Sequence, residues 1–273
     1  MRVLISVDME GLAGVVTGTD VSPGEIDYER NRHLMTNEAS AAVRGAHGFS
    51  ADIETTVADA HGPFTNILPN ELDERARLVR GRPRQLGMMS ELEGADAAIF
   101  VGYHGQSGTA TSVLSHTINS GCISDVRCNG RSLGEIGLNA SLAAHHGVPV
   151  VLVCGDDTVA KEAQGLVEGV ATVVVKRALG ARAGDSLHPA EACRRIEAAV
   201  PGALAHRGAM KSIRFSGPVE VEVDLHYENM AENPLLLPGA RRTGAKTIAY
   251  SAPDFPSAYR VIRLITVLAS AKG

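Results

Sequence analysis

MRVLISVDMEG, residues 1–11, is a strand-sized apolar run that ends in two carboxylates, Asp8 and Glu10. The same form recurs at IETTVADAH (53–61), AAIFVGYH (97–104) and VPVVLVCGDD (148–157), each a short apolar stretch closed by polar residues or glycine. Runs of this length with apolar residues at nearly every position read as strands covered on both faces. The expected strands are Arg2 to Asp8, Ile53 to Asp59, Ala97 to Tyr103 and Val148 to Cys154.

Helical patterns lie between them. Tyr28 to His47 places Leu34, Ala41, Ala42 and Gly45 on one face, and Pro69 to Arg80 and Leu133 to His146 are read as two further helices. Strand alternating with helix implies βαβ units and a mostly parallel sheet flanked by helices, an α/β fold. Further on, the pattern gives a helix over Thr158 to Val170, a strand at Ala171 to Lys176 and a helix from Pro189 to Ala199. An alternating strand, Val219 to Asp224, and a closing helix, Pro256 to Ala269, complete a smaller α+β C-terminal part. The expected division is a core over 1–180 and a smaller part over 181–273, integrated or separate, with a junction near 181–188.

At 273 residues, with 44% apolar and 21% charged residues, the chain has ordinary globular composition and enough length for a full core. A net charge of −5 with basic residues spread along the chain gives no footprint for nucleic acid or an anionic membrane, so neither partner is expected. No apolar stretch reaches the length of a membrane span, and the start lacks a signal peptide's apolar segment and cleavage site. Cys122, Cys128, Cys154 and Cys193 have neither zinc-cluster spacing nor disulfide-scaffold density and are read as small apolar residues in a reducing compartment. The expected location is the cytoplasm.

In open α/β sheets, ligands collect beyond the carboxyl ends of the strands. Three ends carry metal-ligand residue types: Asp8 and Glu10, Asp59 and His61, Tyr103 and His104. Residues two apart in an extended segment point to one side, so Asp8 and Glu10 can share a pocket. Each has a bland alternative, a turn cap for the acids and a loop histidine for His61, but their joint occurrence favours a metal such as zinc, which accepts imidazole and carboxylate ligands. Glu135 fits two roles. Ser132 and Glu135 have the spacing of a capping box, and the carboxylate could equally enter the metal pocket. Three carboxylates with two neutral imidazoles would nearly balance two divalent ions. His116, in VLSHTINSG, is a hydrogen-bonded loop residue or a general acid/base or nucleophile. His145 and His146 precede Gly147 at a helix end, where the dipole favours them, and Asp156 or Asp157 reads as a helix cap. Phosphate-loop and serine-elbow patterns are absent.

Together SVDMEG, VADAH (57–61), VGYH (101–104), LSHT (114–117), GEIGLNA (134–140), CGDDTVAKEA (154–163) and RTGAKT (242–247) resemble the successive motifs of the zinc-dependent D-aminopeptidases of the dipeptide-operon type. The resemblance spans nearly the whole chain and is strongest over 1–165. It implies two zinc ions per chain on Asp8, Glu10, His61, His104 and Glu135, with Asp8 bridging, and His116 as the catalytic residue. It also implies a decamer of two stacked pentameric rings and short peptide substrates that begin with a D-residue such as D-alanine. Two other functions use the same residues: a dinuclear hydrolase of another amide or a phosphoester, and a non-catalytic peptide-binding protein with a structural metal. Five oxygen and nitrogen ligands suit an open site better than a structural zinc, which is normally closed by four.

Overall fold

The structure is a computed structural model that describes residues 1–271. The chain runs through β1 (Arg2–Val7), a short helix α1 (Gly18–Val21), the long α2 (Tyr28–Phe49), β2 (Glu54–Asp59), β3 (Ala76–Val79) and β4 (Ala97–Tyr103). There follow β5 (Ile123–Cys128), β6 (Arg131–Ser132), α3 (Glu135–His145), β7 (Val150–Asp156), α4 (Asp157–Leu166), β8 (Val167–Glu168), β9 (Ala171–Gly180) and β10 (Ala183–Ser186). The last third supplies α5 (Pro189–Ala205), β11 (Lys211–Ser212), β12 (Val219–Leu225), β13 (Arg241–Arg242), β14 (Thr247–Ala252) and α6 (Phe255–Ser270).

Seven strands form the main sheet in the order β10-β9-β7-β4-β1-β2-β3. Every pairing in it is parallel except that of β10 with β9. The expected α/β class is the one observed. β4 and β7 are buried throughout, as strands covered on both faces must be. Alternation divides β1 between two cores: Val3, Ile5 and Val7 meet Met35, Ala39, Ala42 and Val43 of α2 and Ile196 of α5, while Leu4 lies on the side of Phe100, Ile136 and Ile262. Each such side chain, fully buried, contributes about 1.5–3 kcal/mol.

A second sheet, β13-β14-β12-β5-β6, packs on that other side. β12 alternates as expected, with Val219, Val221, Val223 and Leu225 buried and the acids between them half-buried. Its neighbour β5 comes from far earlier in the chain, so this sheet joins segments 123–132 and 219–252.

The helix expected over Pro69 to Arg80 is not formed. Glu71 and Leu72 amides close a turn on the Leu68 carbonyl, and the chain then enters β3, which pairs in parallel with β2. The apolar spacing of Leu72, Ala76 and Val79 mimics a helix, but pairing with the edge of the sheet outweighs that local preference. The closing ends behave as anticipated: Asp156 caps α4 by accepting from the Thr158 and Val159 amides, and Gly147, at φ +72°, follows His145 and His146.

β1 and β4 come unusually close at their carboxyl ends. Gly102 adopts φ +71°, and a Cβ there would stand 2.1 Å from the Asp8 carbonyl oxygen. A Cβ on Gly11 would meet the Tyr103 carbonyl at 1.9 Å. Only glycine permits this approach, which brings Asp8 beside His104.

Candidate metal centre

Asp8 follows directly on β1, its amide bonded to the Val101 carbonyl at 2.8 Å, and Glu10 lies two residues on. His61 follows β2, where Asp59 organises the next loop. The Asp59 carboxylate accepts from the Asn66 and Ile67 amides, at 2.6 and 2.8 Å, and from the Asn66 side chain. That side chain also donates to the His61 carbonyl. Asp59 is therefore committed to its loop. Tyr103 is likewise a core residue: its hydroxyl bonds with Ser6 and Asn139.

His104 follows directly on β4, and Glu135 opens α3. The capping box with Ser132 is not built: Ser132 donates to Asp125, Gly134 occupies the cap position, and Glu135 Oε1 accepts from the Ile118 amide at 2.7 Å. His116 sits on the loop before β5. That loop is pinned by the Val113 amide on Asp156 and the Leu114 amide on the Ala181 carbonyl. Leu114 and Ile118, two residues to either side of His116, both adopt left-handed φ, 52° and 62°.

All six candidate residues converge. His61 Nδ1 lies 3.2 Å from Asp8 Oδ1 and 2.9 Å from Glu10 Oε2. His104 Nε2 lies 3.5 Å from Asp8 Oδ2 and 3.6 Å from Glu135 Oε1, and His116 Nε2 lies 3.7 Å from the same Glu135 oxygen. Potential ligand atoms of Asp8, Glu10 and His104, and those of His104, His116 and Glu135, each fall within 4.8 Å of one another. The side chains of His104 and Glu135 are 1% and 4% exposed, that of His116 16%, so His116 stands nearest the mouth.

The hydrogen bonds of the three rings fix which nitrogen faces inward. His61 Nε2 donates to the Val21 carbonyl, His104 Nδ1 to that of Gly105 and His116 Nδ1 to that of Leu114. A carbonyl only accepts, so these nitrogens carry the hydrogens, and the opposite nitrogen of each neutral ring presents a lone pair. Each lone pair looks toward carboxylate oxygens. His104 Nε2 is buried and finds no hydrogen-bond partner among the described residues. Electron pairs facing carboxylates repel unless a cation lies between them, and a backbone carbonyl holding the distal N–H is the usual support for a metal-binding imidazole. The donor set thus fits a divalent ion such as zinc.

The electrostatics agree. Burial opposes ionisation of Glu10, but the charge and hydrogen bond of His61, aided by His116 and His104, hold its carboxyl well below the usual range. Burial raises Glu135, against the pull of His104 and His116. Burial also disfavours charged imidazoles, yet Glu10 and Asp8 drive His61 well upward, and Glu135, Asp8 and Glu10 push His104 up to about 10. A buried carboxylate cluster demands positive charge, which protons on the rings or a metal ion can supply.

Sequence reasoning passed over two groups beside the centre. Lys176 was read only as the end of a strand, and Glu38 as part of a helix; their one signal is a charged residue within an otherwise apolar, buried pattern.

Fold and donor set together fit the class of α/β enzymes that work through divalent metal ions. Comparison narrows the class. A family profile described as D-aminopeptidase matches residues 1–264, and the chain belongs to that family. A D-aminopeptidase of Bacillus subtilis (strain 168) is 34% identical over 271 residues, 98% of each chain. The solved structure described as Zn-dependent D-aminopeptidase DppA from Bacillus subtilis, a self-compartmentalizing protease, superposes with a TM-score of 0.95 at 32% identity, covering 100% of this chain and 99% of that one. Among the described residues no helix is long and apolar enough to cross a membrane.

Proposed function

We propose that this chain is a dinuclear zinc D-aminopeptidase that removes the amino-terminal D-residue, such as D-alanine, from short peptides. Asp8, Glu10, His61, His104 and Glu135 hold the metals, and His116 is the catalytic residue. The observation that carries this is His104 Nε2, buried without a hydrogen-bond partner among the described residues and flanked by the carboxylates of Asp8 and Glu135. Zinc as the metal is supported by the solved relative, whose description names it. Room for two ions is supported by the two donor groups that share His104, and by Asp8, whose Oδ1 faces His61 while its Oδ2 faces His104. A carboxylate placed in this way suits a bridge.

When bound, zinc polarises the scissile carbonyl and acidifies water. The chain's own contribution starts at His116. With Nδ1–H committed to the Leu114 carbonyl, Nε2 is its working atom, for proton transfer or for attack at the carbonyl. The strained backbone on both sides and the stack against His104 hold that atom in one place. Glu135 Oε1 joins the two halves, since it accepts from the Ile118 amide of the His116 loop while facing His104.

Assembly into a decamer of two stacked pentameric rings is part of the proposal. It is supported by the self-compartmentalizing relative and by large apolar side chains exposed on this surface: Leu236 at 77%, Val267 at 67% and Tyr227 at 62%. Four unpaired cysteines support a cytoplasmic setting.

The test is a panel of D-Ala-D-Ala, L-Ala-L-Ala and a phosphoester, assayed before and after chelation and after zinc is restored. Chelator-sensitive release of D-alanine, with the other two substrates turned over poorly, is expected. Preference for the L-peptide or the phosphoester would move the site to another substrate class.

A further inference from the structure

Lys176, on β9, is 2% exposed, and its register partner on β7 is Asp156. Its Nζ donates to three backbone carbonyls of one turn: that of Glu10, that of Leu12 at 3.1 Å and that of Val15 at 2.5 Å. Three carbonyls require three N–H donors, which an ammonium has and a neutral amine lacks. The same turn is gripped from α2 by Glu38, 1% exposed, whose Oε1 accepts from the Ala13 amide at 2.9 Å. A buried ammonium and a buried carboxylate thus both hold residues 10–15.

We propose that Lys176 is a positioning residue for the metal centre: by capturing the carbonyls of the Glu10–Val15 turn it sets the Glu10 carboxylate where the ion is held. This rests on the metal-centre reading above. The Glu10 carbonyl and carboxylate branch from one Cα, so rotation of the captured peptide would swing the carboxylate away from His61, which it meets at 2.9 Å. The Gly11 amide, bonded to the Gly102 carbonyl at 2.7 Å, fixes the next peptide. Burying an ammonium is costly, and a turn needing only closure could be held by neutral groups. The cost is consistent with a demand for accuracy at Glu10.

The experiment compares zinc dissociation constants, by chelator competition, and the absorption spectrum of the cobalt-substituted protein. The proteins are wild type, Lys176→Met and Val200→Ala. Val200 is a buried α5 residue, so Val200→Ala lowers stability without touching the turn. The expected result for Lys176→Met is zinc affinity weakened about 10–100-fold, the scale for groups that orient ligands, with an altered cobalt spectrum and neither change in Val200→Ala. Wild-type zinc affinity and spectrum in folded Lys176→Met would overturn the inference while leaving the metal centre standing. If Lys176→Met does not fold, Lys176→Met/Glu38→Gln compared with Glu38→Gln alone decides in the same way, since removing both buried charges leaves neither uncompensated. Wild-type protein that takes up no zinc would sink the metal-centre reading, and this inference with it.

Discussion

His116 lies flat against His104, ring centroids 4.1 Å apart and planes inclined by 11°, so the more exposed imidazole sits directly above a buried candidate ligand. In the proposed mechanism one works on substrate and the other holds a metal. His116→Ala is expected to leave zinc content unchanged and to lower turnover by about 10²–10⁴-fold, the usual contribution of a positioned acid or base. Full activity would remove His116 from the mechanism, and loss of zinc would make it a ligand.

His104→Ala should behave in the opposite order. It removes the imidazole shared by both donor groups, so zinc content falls first and activity falls with it. Elemental analysis beside a rate measurement separates the two variants; a His104→Ala protein with full zinc content would contradict the ligand assignment.

Gly102→Ala tests the close approach of β1 and β4. The added methyl would stand 2.1 Å from the Asp8 carbonyl at a φ of +71°, and packed backbone has nowhere to move. A stability loss of about 2 kcal/mol or more by denaturant titration is expected, together with weaker zinc binding. Wild-type stability would show that the strands separate easily.

Glu162 supplies a pH signature. Burial, opposed by the Gln106 amide and His104, pushes its carboxyl from an ordinary 4.5 up to about 7. The folded state therefore binds this proton more tightly than the unfolded chain does. Its contribution to stability is full below about 4.5 and is lost as pH rises through about 7. Glu162→Gln should remove that loss, so the metal-free variant gains on wild type between pH 5 and 8. Parallel stability curves across that range would place the carboxyl in a more solvated setting.

Much of the candidate centre was legible because the α/β architecture puts function at strand ends. Asp8, Glu10, His61 and His104 each follow a buried run, and the structure brings them together. Glu135 was ambiguous, because a helix start and a metal pocket ask for the same residue at the same spacing; its partner, the Ile118 amide, is a contact across 17 residues that no local pattern encodes. β5 escaped notice because ISDVRC alternates weakly, and its pairing with β12 is distant in sequence. The false helix over Pro69 to Arg80 arose from a local apolar spacing that the sheet edge overruled. Lys176 and Glu38 carry only the weak signal of a charge in an apolar pattern, because the turn they hold is distant from both in sequence.

The most direct measurement is the metal content of purified protein after zinc loading and removal of excess. The proposed centre holds about two zinc ions per chain, as expected of a two-metal hydrolase, and loses them with activity on chelation. A single tightly held ion would contradict the dinuclear assignment, and full D-aminopeptidase activity in metal-free protein would contradict the account of the site.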